Sequence, residues 1–89
     1  MNKYQIELSK TASKQLKKLS KEEQGRIEEK IDELADNPRP EGVVKLKDAE
    51  NSYRIRVGNY RVLYDIFDHI LLVNVIKIGH RKDVYRKKS

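Results

Sequence analysis

Tyr53-Arg54-Ile55-Arg56-Val57-Gly58-Asn59-Tyr60-Arg61-Val62-Leu63-Tyr64 carries the pattern that decides this fold. Apolar and basic residues alternate on either side of Gly58-Asn59, a pair suited to a two-residue hairpin turn. With those two residues as the loop, Val57 faces Tyr60, Arg56 faces Arg61, Ile55 faces Val62 and Arg54 faces Leu63. One side of the hairpin then holds Tyr53, Ile55, Val57, Tyr60, Val62 and Tyr64. The other holds Arg54, Arg56 and Arg61. A slip of one residue would drive the arginines into the core, so the apolar pattern fixes the register. Like charges directly across a ladder destabilise by up to ~1 kcal/mol. An Arg56–Arg61 opposition is therefore a reason to expect an anion between them.

Outward from the hairpin, Val44 to Leu46 reads as a short strand, Tyr60 to Phe67 as a longer one, and Asp68-His69 as a turn. Ile70 to Ile78 is a nearly continuous apolar run, as expected of an interior strand. Counting through that turn places Leu72, Asn74, Ile76 and Ile78 on the face of Arg61. Leu63, Leu72 and Ile76 would then need covering by a tail segment or a partner. On the N-terminal side, Lys3 to Leu8 alternates as a half-buried strand. Ser9 opens a helix with Ala12, Leu16 and Leu19 inward. Ser20 and Glu23 form an S-x-x-E capping box for a second helix, whose inner stripe is Ile27, Ile31, Leu34 and Ala35. Asp36-Asn37-Pro38 ends it. The expected fold is α+β: an N-terminal strand, a two-helix hairpin, then an antiparallel meander with the helices on one face.

The 89 residues suffice for a single domain spanning 1–89, with Arg86-Lys87-Lys88-Ser89 as a frayed basic tail. The net charge is +6. Residues 53–89 hold nine Lys/Arg against three acids, while residues 1–52 hold eleven of each sign. Concentrated positive charge with a pI near 9.6 points to a polyanionic partner, nucleic acid first. Zero cysteines exclude disulfides and thiolate metal sites and fit a reducing cytoplasm. No apolar stretch reads as a signal peptide or membrane span.

Arginine grips phosphate oxygens in bidentate fashion, and several together stabilise charge developing on phosphorus. Arg54, Arg56, Arg61 and Arg81 are the candidate group, with His80 and Tyr85 following the last strand. Tyr85 offers a ring on which an unstacked base can lie. No pair of histidines has ligand spacing, and neither a metal nor another cofactor is expected. Attack by a substrate's own 2′-hydroxyl on the adjacent phosphate is chemistry these residues could serve, and it requires RNA.

The stretch 53–64, followed by Ile-Lys-Ile-Gly-His-Arg-Lys-Asp-Val-Tyr at 76–85, resembles the RelE/ParE superfamily of toxins from type II toxin–antitoxin pairs, the RelE branch in particular. The resemblance implies a microbial-ribonuclease-like sheet and a metal-independent endoribonuclease that cuts mRNA in the ribosomal A site. It places paired strand residues at Arg54 and Arg56, a transition-state arginine at Arg61, a second at Arg81 and a stacking tyrosine at Tyr85. Lys47 falls on a basic position of the family motif, and Lys77, Lys82 and Arg86 are expected to add RNA or ribosome contacts. Where the best-known branch has strand lysines, one of them thought to be the general base, this chain has arginines, which do not deprotonate usefully. His80 or Tyr85 is the base expected instead. The implied partners are the ribosome with its mRNA and an antitoxin with an acidic or amphipathic segment, operator DNA being reached only through the antitoxin. The alternatives are a ParE-like, non-catalytic poison of DNA gyrase and a non-enzymatic RNA-binding or co-repressor subunit.

Overall fold

A computed structural model describes residues 3–80 of the chain. Elements follow in the order β1 (Gln5–Leu8), α1 (Lys10–Lys17), α2 (Lys21–Asp36), β2 (Val44–Lys45), β3 (Ser52–Val57), β4 (Tyr60–Phe67), a 3-10 turn (Asp68–Ile70) and β5 (Leu72–His80). The five strands form one sheet in the order β1-β5-β4-β3-β2. The β2–β5 meander is antiparallel, whereas β1 lies parallel to β5 and makes the sheet mixed.

Local sequence sets the helix ends. The Ser9 hydroxyl accepts from the Ala12 amide at 3.0 Å, and the Ser20 hydroxyl accepts from the Glu23 amide at 3.2 Å. Each satisfies a donor that the first helical turn leaves free. α2 stops at Asp36, where Asn37 turns extended ahead of Pro38. Ala12 and Leu16 of α1 with Ile27, Ile31 and Leu34 of α2 share one core with Tyr53, Ile55, Val62, Tyr64, Ile66, Val73, Val75 and Ile78. Tyr64 is fully buried, and burial pushes its phenol above the usual range while its hydroxyl donates to the Pro38 carbonyl at 2.7 Å.

The β3–β4 hairpin has the expected register, Val57↔Tyr60 through Arg54↔Leu63. Among the two turn residues only Gly58 has positive φ (+60°), the sign pattern of a type II′ turn. One expectation is corrected on β5. The ladder shifts between Leu63 and Tyr64, which pair with Lys77 and Val75, so Ile76 is an extra residue on β5. Such a bulge reverses the alternation beyond it. Ile78 consequently enters the core, 2% exposed, and Lys77 and Gly79 take the open face instead. The strand also begins later than the apolar run, because Asp68–Ile70 and Leu71 (φ 52°) make the turn. Beyond Val75, where β1 ends, α1 caps the edge of β5. Ser9 donates to the Ile76 carbonyl at 2.9 Å, and Gln15 accepts from the Ile78 amide at 2.7 Å.

Arg39, just past α2, ties the layers at the opposite end. Its guanidinium donates to both Asp68 carboxylate oxygens (3.2 and 2.8 Å) and, through Nε, to the Tyr53 hydroxyl at 3.2 Å. The Tyr4 hydroxyl donates to the same carboxylate at 2.6 Å. These donors hold the Asp68 carboxyl at about 2.

Candidate functional site

Alternation along β3 and β4 sends Arg54, Arg56 and Arg61 to the side of the sheet away from the helices. Two rows cross that face. Val44, Arg54, Leu63 and Lys77 form one; Arg56, Arg61 and Gly79 form the other. Gly79 has no side chain, so β5 leaves its end of the second row open. Together Gly42, Val44, Arg54, Arg56 and Arg61 line an open depression of roughly 340 Å³. Gly42 has φ of +92°, a left-handed conformation that suits glycine where the chain turns into β2.

The three arginines differ in exposure. Arg56 is exposed and Arg54 half-buried, while Arg61 is only 9% exposed. Arg61 therefore sits at the floor of the depression with Arg56 directly across the ladder. A partly desolvated guanidinium interacts with an anion more strongly than one in open water. The arrangement can hold a phosphodiester and offset additional negative charge developing on it.

The other candidates are placed differently. Because of the bulge Lys77 shares the open face, in the row of Arg54 with Leu63 between them. Lys47 is exposed in the turn after β2 and does not line the depression. His80 pairs with Tyr60 in the ladder, and its ring meets the Tyr60 ring edge-on at 5.6 Å. The Tyr60 hydroxyl donates to Glu23 of α2 at 3.3 Å, so this ring lies on the helical side. Desolvation and the Glu23 carboxylate raise the Tyr60 phenol above its usual value. The structure thus does not bring His80 beside the arginines: the same bulge that exposes Lys77 turns His80 to the other face. Arg81, Lys82, Tyr85 and Arg86 lie outside the described residues. Leu63, Leu72 and Ile76 are half-buried. Among the described residues no three His, Cys, Asp or Glu side chains are grouped to hold a metal ion. Val44 and Gly42 were not foreseen as lining residues. The Val44↔Arg54 pairing, with no turn signal of its own, places Val44 there, and Gly42 follows from the chain's entry into β2.

Residues 6–85 match the family model for the ParE toxin of the type II toxin–antitoxin system parDE. A protein assigned as toxin RelE1 in Methanocaldococcus jannaschii is 30% identical over 87 residues, covering 94% of this chain and 97% of that protein. A RelE-like toxin protein from Escherichia coli is 31% identical over 90 residues, covering 97% and 94%. Among solved structures, an archaeal RelE–RelB complex from Pyrococcus horikoshii superposes with a TM-score of 0.80 at 30% identity, over 89% of this chain and 96% of that one. The E. coli RelBE complex gives 0.77 at 28% identity, over 86% and 95%. With the sheet order, the open arginine face and these matches agreeing over nearly the whole chain, it belongs to the RelE/ParE superfamily of toxins from type II toxin–antitoxin systems.

Proposed function

We propose that this toxin is a ribosome-dependent endoribonuclease that cuts mRNA through 2′-hydroxyl attack. The observation that carries the reading is the convergence of Arg54, Arg56 and Arg61 on one depression, on the side of the sheet away from the helices. The 2′-oxygen of the nucleotide attacks its own 3′-phosphorus, and its proton passes to a base. The P–O5′ bond breaks, the leaving oxygen takes a proton, and a 2′,3′-cyclic phosphate and a 5′-hydroxyl result. Arg61 and Arg56 stabilise the extra charge on the phosphoryl oxygens, and Arg54 positions the strand. None of the three can serve as base. With the His80 ring engaged on the helical side, that role falls to Tyr85.

The partner in this reading is an antitoxin with an acidic or amphipathic segment, as the solved RelE–RelB complexes suggest by analogy. Operator DNA is reached through the antitoxin. The ParE name of the matching family model supports a second reading, gyrase poisoning without catalysis.

Cleavage of message on purified programmed ribosomes, wild type against Arg61→Ala, tests the proposal. At least a hundredfold loss is expected, on the scale of removing one preorganised charge stabiliser. Codon-phased cuts in translated messages after brief expression support the nuclease. Intact messages with broken DNA refute it in favour of gyrase.

A further inference from the structure

The balanced charge of residues 1–52 conceals two oppositely charged helices. From Ser9 to Lys21 there are five lysines and no acid, whereas from Glu22 to Asp36 there are seven acids and two basic residues. Lys10, Lys14, Lys17, Lys18 and Lys21 are all exposed. Ala12 and Leu16 point into the core, and at 100° per residue Lys10, Lys14 and Lys17 fall within about 60° of one another on the opposite side of α1. Lys18 and Lys21 extend the stripe through the turn into α2.

Contacts among the described residues do not account for the whole of this stripe. Among the described residues none of these lysines forms an ion pair, although α2 pairs Arg26 with Glu22 and Lys30 with Glu33. Lysines three and four apart on one helix repel each other. The last-turn lysines do suit the helix dipole, but Lys10 and Lys21 each occupy a first helical position, where the dipole opposes a cation. A local rule broken repeatedly with no return inside the molecule points to a contact outside it.

The chemistry of the stripe selects the partner. From Lys10 to Lys21 no large apolar side chain is exposed, Leu8 at the end of β1 being the nearest in sequence at 37%, and protein interfaces are anchored by aromatic and apolar groups and depleted in lysine. Flexible, strongly hydrated ammonium groups with no aromatic or apolar anchor between them suit the phosphate backbone of nucleic acid. The stripe also lies across the sheet from Arg54, Arg56 and Arg61, so it is not an extension of the substrate groove. We infer that the α1 lysines form a second nucleic-acid surface, which docks the protein on the backbone of structured RNA while the arginine face holds the strand to be cut. Identifying that structured RNA as ribosomal rests on the function proposed above; the docking surface does not.

The test replaces Lys10, Lys14, Lys17 and Lys18 together with glutamine, which has nearly the helix propensity of lysine. Affinity for purified ribosomes without message, and for an RNA duplex about 16 base pairs long, is titrated against salt. Binding is expected to weaken about ten- to a hundredfold near 0.15 M salt, and the slope of log affinity against log salt to flatten by about 3. The matching lysine-to-arginine variant should bind as wild type does, and the glutamine variant should cut at the wild-type rate once ribosomes saturate. Unchanged affinity and slope overturn the inference, as does a wild type that binds neither probe. Weakened antitoxin binding with RNA binding intact would overturn it too, reassigning the stripe to a protein. A wild type that binds with the steep slope but cuts no message sinks the proposed nuclease and leaves the docking surface standing.

Discussion

Replacing Arg56 with threonine should make the protein more stable and less active at once. Arg56 and Arg61 are direct partners in the β3–β4 ladder, where Cβ atoms lie about 5 Å apart. As a scale, two unit charges about 6 Å apart repel by about 0.7 kcal/mol in water, and by more where solvent is restricted, as around the nearly buried Arg61. Threonine removes the charge and keeps the strand preference. Relief of about 0.7 kcal/mol raises the melting midpoint of a domain this size by about 3–6 °C. The gain should shrink as salt rises toward about 1 M, where the screening length falls to about 3 Å. Cleavage of message on programmed ribosomes should fall by at least tenfold, since in the proposed function the same charge offsets that of the phosphate. Thermal unfolding at low and high salt, paired with that assay, decides the matter. An unchanged or lowered midpoint would refute the repulsion. A raised midpoint with undiminished cleavage would refute the idea that the opposition exists to receive an anion.

Three further outcomes follow from the fold. Ile78→Ala should cost about 2–4 kcal/mol in urea unfolding and Ile76→Ala far less, because the bulge buries the first and leaves the second half-exposed; comparable losses would contradict the bulge. Gly25→Ala should stabilise α2 by about 1 kcal/mol, since an added Cβ meets nothing within 4 Å, and a lower urea midpoint would count against that. Arg39 and Tyr4 depress the Asp68 carboxyl to about 2, below its unfolded value near ~3.9. The carboxylate's contribution is therefore complete above that unfolded value and fades as pH falls toward about 2. Asp68→Asn should unfold more readily at neutral pH and lose less stability between pH 5 and pH 2, as urea titrations across that range would show.

Both helix starts, the stop at Asn37-Pro38, the hairpin register and the placement of Arg54, Arg56 and Arg61 on one face of the sheet were legible in the sequence. Each depends on residues within a few positions of one another: a hydroxyl capping an amide three residues on, a glycine accepting positive φ, a period-two alternation on either side of a tight turn. Tertiary structure alone decided the parallel placement of β1 beside β5, the Arg39–Asp68 clip and the phase of β5 beyond Val75. Those features join segments distant in the chain, so no local preference encodes them. A period-two count loses its phase wherever pairing inserts an extra residue. Ile76 is such an insertion, and the contacts of β5 with β4 and α1 around it turn Ile78 inward, Lys77 toward the arginines and His80 away from them.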